Sequence, residues 1–118
     1  MKEELLKRTN KFAHDCVKLS LGLPDNYLGN HIKGQLIRCS TSVAANYRAT
    51  CLAQTKRAFV SKISIVVEEV DESAFWLDFI TEENLLNNLK LLQFQNEASE
   101  LTSIFIKSRK TAQAGIKK

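Results

Sequence analysis

Along four stretches of the chain, apolar or small residues recur at alternating spacings of four and three. The first stretch carries Leu5, Thr9, Phe12, Cys16 and Leu19, and the second Ile32, Leu36, Cys39, Val43, Asn46 and Thr50. The third carries Phe59, Ile63, Val66, Val70, Ser73, Leu77 and Ile80, and the fourth Leu91, Phe94, Ala98, Leu101, Phe105, Ser108 and Ala112. This period marks a seam between helices packed at a shallow angle. From Gln35 to Ala114 the chain has neither glycine nor proline, and one unbroken helix of that length would be about 120 Å long. It must therefore fold back at polar interruptions, where side chains can cap orphan backbone groups. Those interruptions are Gly22-Leu23-Pro24-Asp25-Asn26, the run Thr50 to Lys56, and Thr81-Glu82-Glu83-Asn84 with Asn87-Asn88 beyond it. The pattern predicts helices over about Glu3 to Leu21, Asn26 to Ala53, Thr55 to Ile80 and Asn87 to Ala112. Four segments of matching length with short connections predict one all-α domain over residues 1–118: an up-down-up-down antiparallel four-helix bundle, left-handed.

Two seam positions are polar, and a buried group without a partner costs about 1–3 kcal/mol. Asn46 and Ser73 are therefore expected to belong to a structural polar network, with Asn46 fixing helix register through a buried hydrogen bond. The third segment is apolar on two faces. Phe59, Ile63, Val66, Val70 and Leu77 gather on one side at 100° per residue, while Ile65, Phe75, Trp76 and Phe79 fall on the other beside Glu68 and Glu72. One face of each helix in such a bundle looks outward, so Phe75, Trp76 and Phe79 form a candidate subunit interface.

Charge adds a second pattern. The chain holds 17 Lys/Arg and 13 Asp/Glu, but unevenly. Residues 1–22 are net +2, residues 23–66 net +5, residues 67–100 net −8 and residues 101–118 net +5. A basic surface attracts phosphate backbones by releasing counterions. Arg38, Arg48, Lys56, Arg57 and Lys62 are the candidate nucleic-acid contacts, supported by Lys33 and by the tail residues Lys107, Arg109, Lys110, Lys117 and Lys118. In a symmetric oligomer each charge is repeated around the axis, so assembly and nucleic-acid binding are linked expectations. A protein-only scaffold that uses the aromatic face, with solubilising lysines and arginines, is the alternative.

Other chemistry finds little footing. No apolar run approaches the roughly 20 residues of a membrane span, and the charged opening Met1-Lys2-Glu3-Glu4 does not suit a signal peptide. Cys16, Cys39 and Cys51 fit neither a disulfide framework nor a zinc motif, and a cytoplasmic protein with reduced thiols is expected. A di-metal centre would need Glu-x-x-His pairs, and neither His14 nor His31 follows a glutamate at that spacing. His14 and Cys16 point about 200° apart on a helix. No catalytic residue, metal ligand or cofactor site is expected, and the protein is read as a non-enzyme.

The residues also resemble a known family. Arg38-Cys39-Ser40-Thr41-Ser42-Val43-Ala44-Ala45-Asn46, then Phe59-Val60-Ser61-Lys62-Ile63, then Glu68-Glu69-Val70-Asp71-Glu72-Ser73-Ala74-Phe75-Trp76-Leu77 resemble the bacterial four-helix-bundle proteins encoded in intervening sequences of 23S ribosomal RNA genes. The closing Asn96 to Phe105 is similar too. Many members continue Asn-Ile-Ala-Glu-Gly where this chain has Asn46-Tyr47-Arg48-Ala49-Thr50, so the acidic residue of that motif is missing here. The resemblance implies a homopentameric ring of antiparallel bundles. It further implies kinship with the accessory variability determinant of diversity-generating retroelements, a basic ring that binds RNA or DNA and a reverse transcriptase. Arg38, Asn46, Glu69 and Glu72 match the motif, which implies a polar network for them.

Overall fold

A computed structural model describes residues 2–116. They form α1 (Lys2–Leu21), α2 (Tyr27–Cys51), α3 (Lys56–Glu82) and α4 (Leu91–Ile116). Each helix ends where the sequence supplies a stop. At the first corner the amides of Gly22 and Leu23 fold back onto the carbonyls of Leu19 and Ser20, and Pro24 bars any continuation. Asn26 then caps α2 by accepting from the Gly29 amide at 2.8 Å, and Thr55 caps α3 by accepting from Ala58 at 3.0 Å. Both residues were expected as the first of their helices and stand instead one place outside them. The third corner is a Schellman stop. Asn84 takes a left-handed backbone with φ 53°, its amide bonds to the Thr81 carbonyl, and the Leu85 amide reaches back to Ile80. The fourth helix starts at Leu91 rather than Asn87, because the Asn88 side chain accepts from the Lys90 amide and holds a turn there.

Short corners make successive helices antiparallel neighbours: α1 lies on α2, α2 on α3, α3 on α4, and α4 touches α1 more sparingly to close the bundle. The result is a rod of 51 × 22 × 20 Å. All five seam residues of α1 are buried, as are Ile32, Leu36, Cys39, Val43 and Thr50 of α2. On α3 and α4 the buried seams run from Ile63 to Ile80 and from Leu91 to Phe105. Fully burying one such Leu, Ile or Phe contributes about 1.5–3 kcal/mol. Buried hydroxyls are satisfied within their own helices: Thr9 donates to Leu5, Ser20 to Cys16 and Thr50 to Asn46.

Asn46 departs from expectation. It is half-buried, and Tyr47 occupies the core in its place, with its ring 5.1 Å from that of Phe105 across the bundle. The step from Val43 is thus four residues, then three to Thr50. Tyr47 buries far more apolar area than an amide can, which decides which of the two neighbours turns inward. Asn46 Nδ2 donates to the carbonyl and hydroxyl oxygens of Ser42 on its own helix, so it does not fix register between helices. Ser73 does reach a neighbour. Its Oγ lies 2.8 Å from the Glu69 carbonyl and 3.2 Å from Cys39 Sγ on α2.

Candidate nucleic-acid interface

Antiparallel connectivity turns the linear charge blocks into an axial separation. The end holding the α2–α3 corner is built from residues 2–11, 43–66 and 96–116, which carry eleven Lys/Arg and four acids, two of them, Glu97 and Glu100, paired with Arg8. Residues 12–42 and 67–95 form the other end, with four Lys/Arg and nine acids. Of the five residues nominated for nucleic acid, Arg48, Lys56, Arg57 and Lys62 fall on the basic end. No ion pair ties them among the described residues. Arg48 stands beside Asn10, His14, Ala44 and Ala45 on a groove of about 420 Å³ between α1 and α2, which Lys7 extends. Lys107, Arg109 and Lys110 share this end; Lys117 and Lys118 lie outside the described residues.

Arg38 is placed differently. It stands near mid-bundle, and its guanidinium bridges from α2 to Glu69 (3.2 Å) and Glu72 on α3. Glu72 also accepts from the indole Nε1 of Trp76 at 3.3 Å. The Arg38 guanidinium, with help from Trp76, holds the Glu72 carboxyl below its ordinary range. Arg38, Glu69 and Glu72 are thus joined in one network, and Ser73 sits directly beneath it in the core.

A second network of the same design escaped the sequence reading. Arg8 of α1 binds Glu97 with two parallel hydrogen bonds, 2.7 and 3.0 Å, and Glu100 at 2.9 Å. In both networks one arginine meets two glutamates three residues apart on the adjacent helix. That spacing sets both carboxylates on one helix face and was visible in the sequence at Glu97 and Glu100. What was not visible is which cation would stand opposite, since that depends on how α1 and α4 meet.

The aromatic group on α3 gathers as expected. Phe75 meets Trp76 with ring centroids 5.0 Å apart and Phe79 at 6.0 Å, and the Trp76 ring also sits edge-on to His31. Trp76 and Phe79 are half-buried against the core, whereas Phe75 is 55% exposed. Ile65, farther along the same outer face, is exposed as well. The two core thiols are shielded: burial pushes Cys39 up to about 11 and Cys16 well above its usual range. No helix among the described residues is long and apolar enough to cross a membrane.

Comparison with known proteins gives the geometry a context. The family model described as 23S rRNA-intervening sequence protein matches residues 1–107. A solved structure from Bacteroides thetaiotaomicron, a protein of unknown function from the S23 ribosomal protein family, superposes with a TM-score of 0.80 at 24% identity. The likeness covers 93% of this chain and 99% of that one and is one of fold. No curated protein matches.

Proposed function

Since the chain belongs to the 23S rRNA-intervening sequence protein family, we propose that it is a non-enzymatic ring-forming protein that binds RNA or DNA through its basic end. One observation carries the reading: eleven Lys/Arg against four acids at one end of the rod. Lysines and arginines used only for solubility would be spread over the surface with acids among them. A second feature supports it. Lys56 and Arg57 occupy the first turn of α3, where the helix dipole disfavours cations by about 0.3–1 kcal/mol each. Residues that work against their own helix point to a use outside it.

Arg48, Lys56, Arg57 and Lys62 are the contacts in this reading, and Arg38, with Glu69 and Glu72, locks α2 to α3. The ring closes through Phe75, Trp76 and Phe79, and the resemblance in sequence implies five copies. A ring multiplies the basic end around the axis into a field no single bundle has. A reverse transcriptase or other protein partner, which the resemblance also implies, remains compatible with the free acidic end.

The test is fluorescence anisotropy with a structured RNA across a range of salt, alongside light scattering for mass. Binding whose logarithm falls linearly with the logarithm of salt is expected, and replacing Lys62 by Gln should lower the slope by about 0.7–0.9. Lys33→Gln, at the acidic end, should leave the slope alone. An assembled protein without salt-dependent binding would favour the scaffold reading, in which the exposed Phe75 patch serves only protein contacts.

A further inference from the structure

The seam of α4 changes character past Phe105. Its next two positions are Ser108 and Ala112, both half-buried, where Leu101 and Phe105 before them are fully enclosed. Opposite, on α3, stands Phe59, likewise half-buried. Small residues facing a phenyl ring leave space that larger ones would fill. The first helix does not fill it either. Arg8 sits opposite Glu97 and Glu100, so in an antiparallel pair Lys2 comes level with about residue 105, and the last turns of α4 extend past it. The space is an open groove of about 680 Å³, lined by Phe59 and Lys56 of α3 and by Ile104, Lys107, Ser108, Thr111 and Ala112 of α4. That volume lies within the range of about 300–1,000 Å³ typical of small-ligand sites.

The lining combines an aromatic ring and aliphatic floor with two lysines and two hydroxyls, and no acid. Lys56 Nζ lies over Gly115, where a Cβ would come within 2.6 Å of it, so the ammonium stands at the rim. The groove opens on the basic end.

From this arrangement we infer that the groove takes an unpaired nucleotide: the base lies against Phe59 and Ile104, and the flanking phosphates meet Lys56 and Lys107. A flat ring above an apolar floor, flanked by cations, is how proteins hold single strands. A duplex keeps its bases stacked inside and offers the groove only phosphates. The inference rests on the proposed function and narrows it to single-stranded segments or loops with extruded bases.

The experiment compares a short labelled oligouridylate with an RNA duplex of equal length, using wild type, Phe59→Leu and Phe59→Trp. Leucine keeps an apolar side chain in the groove but cannot stack; tryptophan stacks. The wild type is expected to favour the oligouridylate. Phe59→Leu should weaken that binding by about fivefold or more while duplex binding and its salt slope stay unchanged, and Phe59→Trp should retain it. Duplex and oligouridylate bound alike, with no effect of Phe59→Leu, would overturn the inference and leave the proposed function standing. Absence of binding to either RNA would overturn both. A lower mass for Phe59→Leu by light scattering would make the groove a contact between copies and overturn the inference as well. Unchanged thermal unfolding of both variants verifies the fold.

Discussion

Two glycines five positions apart in α2 show how much a single residue's surroundings decide. A Cβ on Gly29 would lie 1.9 Å from the Pro24 carbonyl oxygen, a clash with backbone that no side-chain rotation relieves. A Cβ on Gly34 meets nothing within 4 Å. Gly29→Ala is therefore expected to destabilise by about 1–3 kcal/mol or more, and Gly34→Ala to stabilise by up to about 1 kcal/mol, as in any exposed helix interior. Urea unfolding of both variants checks the pair, and the same sign for both would contradict the packing of the first corner. Thiol chemistry offers a second check. Cys16 and Cys39 are enclosed and resist ionising, while Cys51 is only half-buried at the end of α2. A thiol-reactive dye at neutral pH should label Cys51 first and the other two only as fast as the protein unfolds, with mass spectrometry of tryptic peptides locating the label.

At the scale of elements, charges work in two opposed ways. The Arg38 network clamps α2 to α3 and depends on an ionised Glu72, whose carboxyl is held low by Arg38. A group with a lowered pKa in the folded state contributes stability above its unfolded pKa and loses it as pH falls through the folded one. Unfolding measured between neutral pH and about pH 3 should thus show a steeper acid loss for wild type than for Glu72→Gln. The contribution is small, about 1 kcal/mol or less, because the pair is partly exposed. Arg57 is the opposite case. Arg57→Glu places an acid in the first turn of α3 and should raise stability by about 0.3–1 kcal/mol while weakening nucleic-acid binding; a variant that loses both would remove the case that Arg57 is held there for binding. These elements were legible in the sequence wherever a local signal set them. The stops before α2 and α3, though with Asn26 and Thr55 read one place too far inside, and nearly every seam position were readable because side-chain period and polar interruptions are local properties. The exchange of Asn46 for Tyr47, the start of α4 at Leu91 and the pairing of Arg8 were not, since each is settled by a neighbour remote in sequence or by a turn that competes with the helix. Of the candidate site, the charges were readable and their gathering at one end was not, because it needed the antiparallel path of the chain.

For the whole molecule, the axial charge separation constrains how copies can meet. Two copies joined through Phe75, Trp76 and Phe79 about a twofold axis perpendicular to the rod would run antiparallel, setting each basic end beside an acidic one. A ring whose axis follows the rods sets all basic ends together on one rim and all acidic ends on the other. The first arrangement gains electrostatic attraction, while the second works against repulsion on both rims and must be held by apolar contacts. Salt separates them, since ions screen exposed charges beyond about 10 Å at 0.1 M. If the ring forms as proposed, mass by light scattering should hold or rise as salt increases, and Phe75→Asp should reduce it at every salt concentration. An antiparallel dimer would instead come apart as salt is added, and its basic ends would lie half-neutralised by the neighbouring acids. The nucleic-acid slope should follow the same logic: it should steepen when copies assemble in a ring, because clustered like charges engage more phosphates along one strand, and Phe75→Asp should flatten it without touching a single basic residue.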